Sequence, residues 1–143
     1  MSVDTAGRTL EENKAVAREF VKRIFIDRDL DAIPELVTDD FVDHVPLDSP
    51  GGPAGLRTSM DKLFASFPDL TTKIDDIVGE GDRLVVRVSV AGTQRGEFER
   101  IPPTNKRIEV FGLEVLEVRG DKIAQRWMFR DEMLILRQLG VMM

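Results

Sequence analysis

The stretch "KRIEVFGLEVLEVRGDKIAQRWMFR" (residues 106–130) alternates branched or aromatic residues with polar ones on both sides of a Gly-Asp pair. Alternation of period two is the mark of a half-buried strand, and Gly-Asp between two such runs marks a tight hairpin. With Gly120 and Asp121 at the tip, Val118 is expected to pair with Ile123, Glu114 with Trp127, and Val110 with Asp131. Ile123, Gln125, Trp127, Phe129 and Asp131 then share a face that is mostly apolar and carries a carboxyl at its end.

The same period extends upstream. Strands are expected at about 72–78 and 83–94, joined by "GEGD" (79–82), before those at 106–118 and 122–130; "PPTN" (102–105) interrupts the run. Further upstream the period becomes helical. Val16, Phe20, Val21 and Ile24 form one stripe, and Thr9 with Glu12 reads as a capping box, which predicts a helix over about 9–27. A second helix is expected from Leu30 to Val37, capped by Asp29. A Pro/Gly/Asp-rich loop follows, with a short strand near Phe41–His44. A third helix should span Pro53 to Phe67, showing Leu56, Met60, Leu63, Phe64 and Phe67 on one face and ending before Pro68. Asp131 to Leu139 reads as a last turn of strand or a short helix closed by Gly140. Residues 1–8 are expected to fray. The order predicts a single α+β domain over 1–143, with helices on one face of a curved antiparallel sheet of about four main strands.

Composition narrows the chemistry. Twenty basic and twenty-six acidic side chains, interspersed for a net charge of −6, argue against a nucleic-acid or membrane-surface partner. No apolar run reaches the roughly 20 residues that span a bilayer, and the first residues lack a signal peptide's hydrophobic core. With no Cys, disulfides and thiolate sites are excluded and a cytoplasmic location fits. One His (His44) cannot build a His-rich metal centre alone, and no Tyr can serve as a phenolic acid.

Asp131 has two readings that can hold together. It caps the closing helix, or it stands at the wall of a pocket as a general acid/base, burial raising its pKa toward the working pH. His44 is a structural residue or an assisting imidazole; with Asp43 and Asp48 it makes at most a thin metal set. Glu114 is the other carboxyl on the Trp127 face, roughly 13 Å of strand from Asp131 and read as a satisfied or rim group. Trp127, Phe129, Met60, Leu63 and Phe64 are pocket-lining candidates whose plainer role is core. The opposite face carries Phe111, Leu113, Val115 and Met128, more apolar surface than water favours, which predicts a twofold dimer.

Several segments in order carry a resemblance: "DHVP" (43–46), "GPAGLR" (52–57), "FPDL" (67–70), "VGEGDRLVVR" (78–87), "GTQRGEF" (92–98), "PPTNKRIEV" (102–110) and "DKIAQRWMFRDEMLILRQLG" (121–140). Together they resemble the SnoaL-like polyketide cyclases, within the nuclear-transport-factor-two-like α+β cone fold. The resemblance implies a reaction without cofactor or metal, the intramolecular aldol ring closure of a polyketide ester in an apolar pocket. The aspartate four residues after the tryptophan, Asp131 here, would be the acid/base, with His44 the one imidazole able to assist.

The chain departs from the family pattern at three places. Gln94 stands where the family has a His after Gly-Thr, Arg100 and Asn105 replace Gly in the following loop, and Glu117 falls near the family's third-strand His. Sister isomerases and epoxide hydrolases of this fold rely on Tyr, which is absent; a related isomerase or hydrolase using Asp131 and Gln94 around a water is the remaining variant. A non-catalytic pocket for a small hydrophobic molecule is the alternative of a different class.

Overall fold

The structure, a computed structural model, describes residues 7–44 and 51–142; most of the segment expected to fray lies outside them, as does Asp48. Helix α1 (Leu10–Val21) begins at the capping box: Thr9 accepts from the Glu12 N–H while the Glu12 side chain bonds back to the Thr9 N–H. The helix then widens into a π turn, Lys22–Ile26, that buries Ile24 and Phe25. A 3₁₀ turn (Leu30–Ala32) leads into the short α2 (Ile33–Leu36), so the second helix ends one residue before Val37. Helix α3 (Gly52–Ser66) stops before Pro68, as the restriction on the residue preceding proline requires.

The four expected strands appear as β2 (Thr71–Glu80), β3 (Arg83–Thr93), β4 (Arg107–Arg119) and β5 (Lys122–Arg130). Gly81 and Gly120 hold positive φ in the two hairpin turns. The short strand expected near residue 41 is a full fifth strand, β1 (Val37–Asp43), and it lies parallel to β5 at the sheet's edge. The sheet is therefore mixed and open, in the order β1-β5-β4-β3-β2. Helix α4 (Glu132–Gln138) closes the chain, with Gly140 at φ 79° behind it.

The register of the β4–β5 hairpin differs from the expected one in a single respect with large consequences. Val118 pairs with Ile123, but a bulge at Ala124 then puts Glu117 opposite Gln125. From there Val115 faces Trp127, Glu114 faces Met128 and Gly112 faces Arg130. A one-residue slip sends every later side chain to the other face. Arg126, Met128 and Arg130 turn inward, while Trp127 and Phe129 turn outward.

The inner face of the sheet packs under α1 and the π turn around Phe20, Ile24, Leu84, Val86, Leu116 and Ile123, all of them fully buried. A second cluster, including Phe67, Leu70, Phe98, Val110, Ile135 and Leu139, joins α4 to the far end of β4. Among the described residues no helix is long and apolar enough to cross a membrane.

Candidate functional site

Between the two clusters the inner face leaves a hollow of about 50 Å³. The π turn contributes Phe25, α3 Leu63, β3 Val88 and Val90, and α4 Ile135. Gly112 helps to make the room. It stands on the inward column of β4 where Val110, Glu114 and Leu116 carry side chains, and a Cβ there would approach the Met128 Cε to 2.9 Å. The wall is apolar apart from Thr72, Glu114 and Arg130.

Glu114 anchors the ionic part of this wall. Arg126, inward because of the bulge, donates from Nε to Glu114 Oε1 and from Nη1 to Asp43 Oδ2 (2.8 Å). The three side chains are 2%, 5% and 4% exposed for Glu114, Arg126 and Asp43. The parallel seat of β1 against β5 delivers Asp43 here, directly beside Arg126. Burial works against the Arg126 charge, yet the carboxylates of Glu114 and Asp43 outweigh it and hold the guanidinium above its ordinary value. The Arg126 guanidinium also lies 5.3 Å from the centre of the Phe25 ring, so the π turn supports the triad from above.

Two carboxylates thus share one guanidinium in a dry place. Among the described residues Arg126 is the one donor to Glu114, and it serves Oε1. Arg130 is already engaged, donating from Nε to Glu132 (2.6 Å) and from Nη2 to Glu99 (2.8 Å).

The other expected site residues lie elsewhere. Asp131 is exposed, and its Oδ1 accepts from the Leu134 N–H (3.0 Å) as the N-cap of α4. It borders a shallow groove with Phe111, Leu113 and Phe129; Phe111, Gly112 and Arg130 belong to both groove and hollow, so Asp131 stands at the hollow's outer lip. The expected burial of Asp131 is not met, because the strand ends at Arg130 and the carboxyl turns to the helix.

His44 is on the outer face, stacked on Trp127 at 4.4 Å with 2° between the rings, its Nε2 2.7 Å from Gln125 Oε1. Glu117 joins that outer cluster through Gln125 Nε2 (2.6 Å). The sheet separates His44 from the hollow, and it lies about five strand residues, roughly 16 Å, from Asp131. Trp127 and Phe129 are outside as well. Met60 is plain core and Phe64 packs beneath Arg28 (4.3 Å), whereas Leu63 does reach the hollow.

Gln94, expected beside a ligand, is a strut. Its amide donates to the carbonyls of Gly96, Ile101 and Pro102 and accepts from the Thr104 N–H and hydroxyl, fully buried. A neutral amide suits this place because it must donate on one side and accept on the other. That strut holds the 94–106 loop, where Arg100 and Asn105 do take the left-handed conformation.

Among the described residues no three His, Asp or Glu side chains converge as a metal site. Arg126 and Thr72 carry no signal in the sequence, and Asp43, weighed there only as part of a thin metal set, is instead an ion-pair partner of Arg126. Glu114 did leave a visible signal, as the one charged residue in the apolar column Ile108, Val110, Gly112, Leu116, Val118.

The model of the family described as SnoaL-like polyketide cyclase matches residues 15–139. No curated protein sequence matches the chain. Many solved structures share its fold. TsrD from Streptomyces laurentii is 23% identical with a TM-score of 0.83, over 94% of this chain and 98% of that one. IdmH from Streptomyces antibioticus is 30% identical with a TM-score of 0.74, over 90% and 99%. A SnoaL-like polyketide cyclase from Agrobacterium tumefaciens is 23% identical with a TM-score of 0.76, again over 90% of this chain and 98% of that one. An α+β fold laid around a sheltered carboxylate, and a family model that spans both, lead to one conclusion: the chain belongs to the SnoaL-like polyketide cyclase family.

Proposed function

We propose that the protein closes a ring in a small polyketone ester by cofactor-independent acid/base catalysis inside the hollow, with Glu114 as the proton-transfer group. The observation that carries this reading is the buried carboxylate on a mostly apolar wall, bonded on one oxygen by Arg126. Glu114 takes the acidic proton from the carbon between two carbonyls. The enolate carbon then attacks a ketone carbonyl held in the same space, forming the carbon–carbon bond. Glu114 returns its proton to the new alkoxide, so the product is an isomer of the substrate. Proximity in the apolar cavity supplies up to roughly 7–11 kcal/mol in favourable cases.

At about 50 Å³ the hollow is tighter than ligand pockets of roughly 300–1,000 Å³. A guest therefore enters by displacing the Met128 thioether, the most adaptable side chain on the wall. Asp131 stays at the lip as the cap of α4, and His44 stays with Trp127. We also infer that two copies pair through the outer sheet face.

The test needs no knowledge of the natural substrate. Exchange of the central C–H of 1-phenylbutane-1,3-dione for deuterium, followed by NMR in D₂O, reads the first step alone. Glu114→Gln should abolish catalysed exchange, while Asp131→Asn, which keeps a good cap, should leave it within about twofold of the parent. The opposite pattern would return the acid/base role to Asp131.

A further inference from the structure

The hollow carries a second polar feature that proton transfer at Glu114 leaves unused. Thr72 lies on the inward side of the edge strand β2, opposite Val90, and its Oγ1 is buried with no protein partner among the described residues. Three buried side-chain hydroxyls share that condition, and of these Thr72 alone lines the hollow. A buried hydroxyl left without a partner is destabilising, and Val would fill the same space at no such cost. Its strand neighbours are engaged by contrast: Thr71 donates to the Ala91 carbonyl, and Ser89 donates to Asp75.

The position of Thr72 relative to Glu114 follows from the register. Thr72 pairs with Val90 and Val90 with Val110, two ladders or about 10 Å across the sheet. Val110 to Glu114 is four residues, about 13 Å along β4. The two groups therefore stand at opposite ends of the hollow, with Val88, Val90, Val110 and Gly112 between them.

Resting on the reading of the hollow as the reaction site, we propose that Thr72 binds a second carbonyl oxygen, distant from the reacting carbon. The substrate class is accordingly an elongated neutral polyketone with an acidic 1,3-dicarbonyl unit at one end and a further ketone at the other. The threonine hydroxyl donates to that ketone, and the apolar residues between the two ends accept the carbon skeleton. Selection by length and by the far oxygen follows, because a guest without it leaves the hydroxyl unpaired.

Two probes separate the claims: 1-phenylbutane-1,3-dione, and the same compound with a para-acetyl group that supplies the distal ketone. The parent protein should exchange the acetylated probe about tenfold more efficiently, the worth of one hydrogen bond. Thr72→Ser should keep that preference. Thr72→Val should lose it, exchanging both probes alike at the rate the parent shows for the simpler one, with a melting temperature no lower than the parent's. A preference that survives in Thr72→Val, or is missing from the parent while exchange persists, overturns the Thr72 assignment and leaves Glu114 standing. Absence of exchange with both probes in every protein overturns the two together.

Discussion

Arg126 is the residue on which the interior depends most. It is the shared counter-charge of two buried carboxylates, and removing one partner from a buried ion pair costs about 3–5 kcal/mol because the other charge stays behind in a dry place. Arg126→Met should therefore destabilise the protein by about that amount, read as a lower urea midpoint with an unchanged slope. The triple variant Asp43→Asn, Glu114→Gln, Arg126→Met should recover much of the loss, since no charge is then left unpaired. A fall of under about 1 kcal/mol in Arg126→Met would mean that water already reaches the triad. None of the three partners could be paired from the sequence. Glu114 stands out within its column, but Arg126 reaches it only because Ala124 is an extra residue in β5, and nothing in "KIAQRW" marks the bulge.

Most elements were legible because each carried its own period and punctuation. Thr9 and Glu12 fixed the start of α1, Pro68 the end of α3, and Gly81 and Gly120 the hairpins. The misses were long-range. The parallel seat of β1 on β5 joins residues more than eighty positions apart, and local alternation says nothing of such a partner. Other joins are made by single side chains, as where Asp69, in the turn before β2, accepts the Thr93 N–H at the end of β3 (2.7 Å). That bond holds the Asp69 carboxyl below its ordinary value of 3.8. A depressed carboxyl contributes stability above the unfolded value and loses it as pH falls through the folded one. Asp69→Asn should consequently be less stable than the parent at pH 7, with the gap closing once the pH falls below about 3.8. Chemical denaturation of both proteins at pH 7 and pH 3 checks this; an equal gap at the two pH values would remove the charge from the explanation.

At the scale of the whole molecule, the inversion of β5 changes what each face offers. The inward column gains Arg126, which completes the buried triad, and Met128, which joins the wall of the hollow. The outward one gains Trp127 and Phe129, which join Leu113 and Phe111 in an apolar stripe. Phe111, Leu113 and Phe129 are 64%, 43% and 56% exposed, a contiguous patch of the kind that monomers rarely leave to water. Three of the four residues expected on this face, Phe111, Leu113 and Val115, are on it; Met128 is not, for the reason that moved Trp127. A twofold axis through the stripe would set each patch against its own copy, so a charge placed there meets the same charge across the interface. Leu113 is the residue to change, since it borders the outer groove and not the hollow. Light scattering at micromolar concentration should give twice the chain mass for the parent and the single chain mass for Leu113→Glu, with deuterium exchange by the monomer retained. A parent that scatters as a monomer would show that the stripe serves some other contact, and would leave the chemistry of the hollow untouched, because no residue of the triad lies on the outer face.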